Sequence, residues 1–181
     1  MTLVERVFAQ ESDLESIMAL FSSTRTRMEE EGNDSWSHGY PEKEDFQEDI
    51  SQGDSFLYKE NGVVCAYIHV SFDPLTDFFF SSRSKTKLAQ LRQDTGMKDG
   101  EEFLILHRLM IAPAEQGHGL AKEIFLDQAH LYPGRMMMFA VFSSNFKAQR
   151  VYQRYGFQNA GIYSAFEYGE EGCYLYFKRF D

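Results

Sequence analysis

Residues 111–123 read IAPAEQGHGLAKE. An apolar run ends at Pro113, two glycines flank His118, and a helical pattern begins at once. Glycine at such a handover permits a tight backbone turn or the close approach of another group. The helix that follows opens with unpaired N–H groups and a partial positive charge, which favours an anion there. The stretch before the loop, FLILHRLMIAP (103–113), reads as a long buried strand. The stretch after it, GLAKEIFLDQAH (119–130), reads as a helix with Leu120, Ile124, Phe125 and Ala129 inward. RMMMFAVFSS (135–144) is a second buried strand, so this β-α-β unit predicts two parallel neighbours.

Downstream, NFKAQRVYQRYGF (145–157) predicts a helix closed by Gly156 at its C-terminal end. Two strands follow, near GIYSAFEY and CYLYFKRF, joined through Gly-Glu-Glu-Gly. Upstream, residues 3–9 predict a short strand, and Ser12-Asp13 can cap a helix carrying Leu14, Ile17, Met18 and Phe21. That helix is expected to fade through TRTRMEEEG. GNDSWSHGYP reads as a loop, Pro41 opens a second helix with Phe46 and Ile50 on one face, and Asn61-Gly62 marks a hairpin. Residues 73–102 break this rhythm and read as an insertion holding one short helix, SKTKLAQLRQ. The order β α α β β (insertion) β α β α β β is not a doubly wound alternation. It implies an α/β (α+β) fold with a mixed, mostly antiparallel sheet of about seven strands and helices on both faces. A single domain over 1–181 is the expected organisation.

Charge narrows the function classes. Residues 1–60 hold 5 Lys/Arg against 15 Asp/Glu, and the remaining residues hold 13 of each. All the excess negative charge is N-terminal, which disfavours nucleic acid as a direct ligand. It serves either as a solvated face or as a field that draws a cationic substrate. No window approaches the roughly 18 apolar residues of a membrane span, and no secretory leader is read at MTLVERVFAQ. Cys65 and Cys173 lie in apolar runs without metal-ligand spacing. They read as reduced core residues of a cytoplasmic protein, with no metal site.

Three anion-loop patterns compete for residues 116–122. A P-loop fails because Ala121-Lys122-Glu123 lacks its Gly-Lys-Ser/Thr ending. A dinucleotide fingerprint fails because position 122 is Lys, and because the chain does not open on a parallel β-α-β unit. Gln/Arg-x-x-Gly-x-Gly/Ala is met by Gln116, Gly119 and Ala121. One β-α unit later, Asn145, Ala148 and Tyr152 share a helical stripe that ends at Gly156-Phe157. The two motifs together resemble the GNAT superfamily of acetyl-CoA-dependent N-acetyltransferases. The resemblance covers nearly the whole chain in element order and is most specific over residues 103–157.

The resemblance implies a GNAT-like three-layer fold and acetyl-CoA as acyl donor. The anion is then the pyrophosphate of coenzyme A, held by backbone N–H groups of Gln116, Gly117, His118, Gly119, Leu120 and Ala121. The pantetheine arm lies where two strands splay, paired with the Ile111 backbone and hydrogen-bonded by Asn145. The Leu109 N–H faces the thioester oxygen, and Tyr152 serves as general acid toward the leaving thiolate. His107, two residues before Leu109, is either the general base or a satisfied structural histidine, and strand alternation puts both on one face unless a bulge intervenes. Glu101, Glu102 or a water chain are the other candidate bases.

In the family, the loop between the first two helices lines the acceptor pocket. Trp36 and Tyr40 lie in that loop, where they either hold a cationic amine or pin the loop to the core. Phe78, Phe79 and Phe80 pose the same choice between core, channel and dimer contact. Arg83, Lys85, Lys87 and Arg92 read as a solvated helix face. The expected activity is acetyl transfer to a primary amine by direct attack in a ternary complex, with a small cationic amine slightly favoured over a peptide. The alternative is a non-catalytic acyl-CoA-binding or protein-interaction module. A homodimer fits the family pattern, and no membrane partner is expected.

Overall fold

The structure is a computed structural model that describes residues 4–72, 84–165 and 172–180. Phe78, Phe79, Phe80 and Arg83, and the side chains of Lys85 and Lys87, lie outside the described residues. The strands are β1 (Glu5–Phe8), β2 (Ser55–Glu60), β3 (Val63–Ser71), β4 (Phe103–Ile111), β5 (Met136–Phe142), β6 (Gln158–Ala165) and β7 (Gly172–Arg179). The helices are α1 (Leu14–Glu30), α2 (Lys43–Gln52), α3 (Ser84–Thr95), α4 (Leu120–Leu131) and α5 (Phe146–Arg154). The strands form one seven-stranded sheet in the order β1-β2-β3-β4-β5-β7-β6. The β4–β5 pair is parallel and runs from Phe103↔Met136 to Leu106↔Phe139. The β1–β2, β2–β3, β5–β7 and β6–β7 pairs are antiparallel. The mixed, mostly antiparallel seven-stranded sheet is the one the element order predicts.

Two local departures have physical causes. Helix α1 does not fade at Thr24 but runs to Glu30. Thr24 is buried and extends the apolar stripe by a turn. The polar end carries Arg25–Glu29, Arg27–Glu30 and Arg27–Glu31 ion pairs at helical spacing, each worth a few tenths of a kcal/mol. Strand β4 carries the second departure. Arg108 sits at φ +50, in the left-handed region, in mid-strand. Leu104–Leu106 are buried, His107, Arg108 and Leu109 are half-buried, and Met110 is buried again. The expected alternation that put His107 and Leu109 on one face is therefore interrupted between them. At the β2–β3 hairpin, by contrast, Asn61 (φ +51) and Gly62 (φ +81) take the two left-handed positions of a tight two-residue turn, as predicted.

The chain groups into two compact units, one of residues 1–70 and 107–124, the other of residues 71–106 and 125–181. The first packs Leu14, Ile17, Leu20 and Phe21 of α1 with Phe46, Leu57, Tyr67 and Met110. The second packs Leu91 and Met97 with Ile105, Met136, Met138, Leu175 and Phe177. It also carries an aromatic cluster centred on Phe125, within 6.2 Å of Phe139, Tyr152, Tyr155 and Phe157. Cys65 and Cys173 are buried, and neither is in a disulfide. Among the described residues no helix is long and apolar enough to cross a membrane.

Candidate active site

The glycine loop forms where β4 hands over to α4. Pro113–Glu115 makes one short 3₁₀ turn, and Gln116 returns to an extended conformation. The Gln116 side chain donates to the Ile111 carbonyl at 2.9 Å, which ties the loop back to the strand end. Gly117 and Gly119 then take φ +85 and +95, conformations that a residue with a Cβ rarely adopts. A Cβ built on either would meet no protein atom within 4 Å, so the space above both is clear. The Gly119 carbonyl accepts from Lys122 and Glu123 as the first turn of α4 closes. Among the described residues, the N–H groups of Gly117 to Ala121 donate to no protein acceptor. Uncommitted amides at the mouth of a twelve-residue helix, under a clear approach, suit an anionic diphosphate.

Just before this loop, β4 enters a buried polar network. Asp49 of α2 is 1% exposed. Its Oδ2 accepts from Arg108 Nε at 2.7 Å and from the Tyr67 hydroxyl at 2.9 Å, and its Oδ1 accepts from Arg108 Nη2. Arg108 Nη1 donates to the Tyr40 hydroxyl at 2.7 Å. His69 Nε2 lies 3.6 Å from Asp49 Oδ1, and its Nδ1 is 3.0 Å from Ser55 Oγ. The His107 ring is 5.7 Å from that of His69, tilted by 39°. Burial pulls the Arg108 pKa down, but the Asp49 hydrogen bonds and neighbouring charges outweigh it, so the guanidinium stays charged. Burial, reinforced by the Asp49 charge, pushes the Tyr67 phenol up. Burial also raises the Tyr40 phenol, against the pull of Arg108.

Helix α5 positions the other two predicted residues. Asn145 is its N-cap, and its Oδ1 accepts from the Ala148 N–H at 3.0 Å. That bond leaves the Asn145 side-chain N–H₂ to donate elsewhere. Tyr152, two turns on, is buried among aromatic rings, 4.4 Å from Phe139 and 5.6 Å from Tyr176. Its hydroxyl makes no hydrogen bond among the described residues. Burial pushes its phenol well above the ordinary range, with Tyr176 adding to the shift, so it carries its proton at neutral pH.

The remaining candidates divide by their partners. Glu101 is held by Arg179 through two hydrogen bonds of 2.5 and 2.9 Å, which lower its carboxyl pKa below the usual range. Glu102 pairs with Arg135 at 3.0 Å. The lowered carboxyl of Glu101 makes it a poor proton acceptor near neutrality. Trp36 packs against Phe21 at 5.9 Å, and the cation lying over the Tyr40 ring, 5.7 Å from its centroid, is Arg108. His118 is exposed on the loop. Arg92 pairs with Asp99. Among the described residues no three His, Cys, Asp or Glu side chains are grouped to hold a metal ion.

Asp49 is the polar residue that the motif reading passed over; His69 reads from the sequence as a histidine without a constellation, whereas the structure places it beside Asp49 and Ser55. Asp49 lies three residues after Phe46 and one before Ile50, within the apolar stripe of α2, and that placement was its signal. His69 shares one face of β3 with Tyr67 and pairs with Ser55 across the hairpin.

Comparison with known proteins places this geometry among relatives. The model of the Acetyltransferase (GNAT) family matches residues 15–157. A GNAT-family acetyltransferase from Streptococcus agalactiae 2603 superposes with a TM-score of 0.76 at 20% identity, covering 98% of this chain and 96% of that one. A GNAT-family acetyltransferase from Listeria monocytogenes 4b F2365 gives 0.69 at 22% identity, covering 98% and 95%. The ribosomal-protein-S18-alanine N-acetyltransferase from Escherichia coli gives 0.60 at 17% identity, covering 97% and 92%. Among curated protein sequences there is no match.

Proposed function

This chain belongs to the acetyltransferase (GNAT) family, and from that premise we propose that it moves an acetyl group from acetyl-CoA to a primary amine by direct attack in a ternary complex. The observation that carries the reading is the loop of residues 116–121. Two glycines at positive φ, a clear approach and five uncommitted N–H groups suit the pyrophosphate of coenzyme A. Acetyl-CoA supplies the activated thioester, and Ile111 and Asn145 hold its pantetheine amides.

The chain's own groups meet the three needs of the reaction. The acceptor amine must shed a proton, since a lysine-like ammonium has a pKa of ~10.4. His107 takes it, directly or through water, because Glu101 and Glu102 are engaged by arginines. The oxygen of the tetrahedral intermediate is met by the Leu109 N–H. Tyr152, which carries its proton at neutral pH as any tyrosine does, returns that proton to the leaving thiolate.

Acceptor selection falls to the acidic N-terminal third, with Trp36 and Tyr40 on the acceptor side. Arg108 already covers the Tyr40 ring, so the acceptor's positive charge is met by carboxylates rather than by that ring face. A small cationic amine is the favoured acceptor, a peptide amine the second class. Two buried cysteines outside any disulfide suit a reducing compartment, and we assign the protein to the cytoplasm.

The test is release of CoA from acetyl-CoA with a panel of diamines, aminoglycoside-type amines and peptide N-termini. The reading expects turnover with at least one amine, intersecting initial-rate patterns, and loss of ~10²-fold or more in Tyr152→Phe. Saturable acetyl-CoA binding with no CoA release from any amine would leave a non-catalytic acyl-CoA module instead.

A further inference from the structure

Arg108 is the residue at which β4 departs from a regular strand. Its φ of +50 is unfavourable for a side chain with a Cβ and needs support from its surroundings. The support is visible. Three of the five guanidinium N–H donors are committed, two to the Asp49 carboxylate in a fork and one to Tyr40. Asp49 is held from the other side by the Tyr67 hydroxyl, which lies 3.3 Å from Ser55 Oγ. Ser55 in turn contacts His69 Nδ1. One buried carboxylate thus ties α2, β3 and the Tyr40 loop to the single left-handed residue of β4.

We propose that Asp49 is a positioning residue for acetyl transfer: by gripping Arg108 it holds the left-handed turn of β4 that sets the direction of the Leu109 amide. This rests on the reading that the Leu109 N–H meets the thioester oxygen. A residue at positive φ reverses the face presented by the next peptide group, so the Arg108 conformation decides where that N–H points. Asp49 touches no reacting atom and acts through Arg108. A salt bridge kept only for stability would be replaceable by an apolar pair of similar volume. A bridge kept to fix a backbone turn would not, because only the planar fork defines the guanidinium orientation.

The experiment compares wild type, Asp49→Asn, and the paired variant Asp49→Leu/Arg108→Met. It uses amide hydrogen exchange over residues 107–111, urea unfolding, and steady-state kinetics with acetyl-CoA and the best amine. Asp49→Asn is expected to speed exchange of the Leu109 amide at least tenfold, and to lower kcat about 10²-fold with KM for acetyl-CoA within threefold. The paired variant is expected to recover urea stability without recovering kcat. Wild-type exchange at Leu109 in folded Asp49→Asn overturns the proposal, as does a paired variant that regains kcat together with stability. If Asp49→Asn fails to fold, Tyr40→Phe is read by exchange alone: faster exchange confined to 107–111 supports the anchor, and unchanged exchange overturns it. Exchange needs no turnover, so a wild type that releases no CoA contradicts the acetyl-transfer reading while the anchor is still tested.

Discussion

The ring of Tyr152 lies 4.4 Å from that of Phe139 and only 22° from parallel, so a helix residue and a strand residue of one unit are stacked face to face. Phe125, Phe157 and Tyr176 surround the pair. The ring is fixed by apolar contact while its hydroxyl is spared any hydrogen bond among the described residues. That suits a group whose one polar atom is reserved for a substrate.

Tyr152→Phe should therefore separate stability from activity. Unfolding in urea should change by less than about 1 kcal/mol near neutrality, because no hydrogen bond is lost. Turnover should fall ~10²-fold. The phenol pKa is raised on folding, so its contribution to stability is full below the unfolded value of ~10 and is lost as pH rises above it. Wild type should lose stability above pH ~10 relative to Tyr152→Phe, as read by urea midpoints across pH.

Phe125→Ala probes the packing behind that ring. Phe125 is 1% exposed and meets four aromatic neighbours. Its truncation should cost about 3–5 kcal/mol, seen as a lower urea midpoint, and should lower turnover by loosening Tyr152.

Glu101→Gln tests the acid-range linkage. The Glu101 carboxyl is lowered by its hydrogen bonds to Arg179, so its contribution is present above the unfolded value of ~4.3 and fades as pH falls through the folded one. The Arg179 side chain is 42% exposed, so the effect at pH 7 should not exceed about 1 kcal/mol. The difference between Glu101→Gln and wild type should shrink toward zero at pH ~2–3. Turnover near neutrality should be unaffected, and a large loss there would return Glu101 to the list of candidate bases.

Where local chemistry dictated structure, the sequence was enough. Asn61-Gly62 can take two left-handed positions in a row, and it made the hairpin it foretold. The Met136–Met138 run reads best as a buried strand, and all three are at most 1% exposed. Gly117 and Gly119, read as a tight turn or a place of close approach, sit at positive φ with clear space above them. What escaped was non-local. Nothing in HRLM tells that Arg108 leaves the strand conformation, because the cause is a carboxylate 59 residues earlier. Nor does WSHGYP reveal that Tyr40 receives a hydrogen bond from that same arginine. Asp49 was hidden inside a helix whose charged residues otherwise read as a solvated face.

The measurement that tests the central claim most directly is a calorimetric titration of the purified protein with acetyl-CoA, repeated on Gly119→Glu after circular dichroism shows the variant to be folded. The account predicts saturable binding by wild type and none by the variant, because a carboxylate would then stand where the diphosphate approaches the N–H groups of α4. Absence of binding by wild type, or equal binding by both proteins, would contradict it.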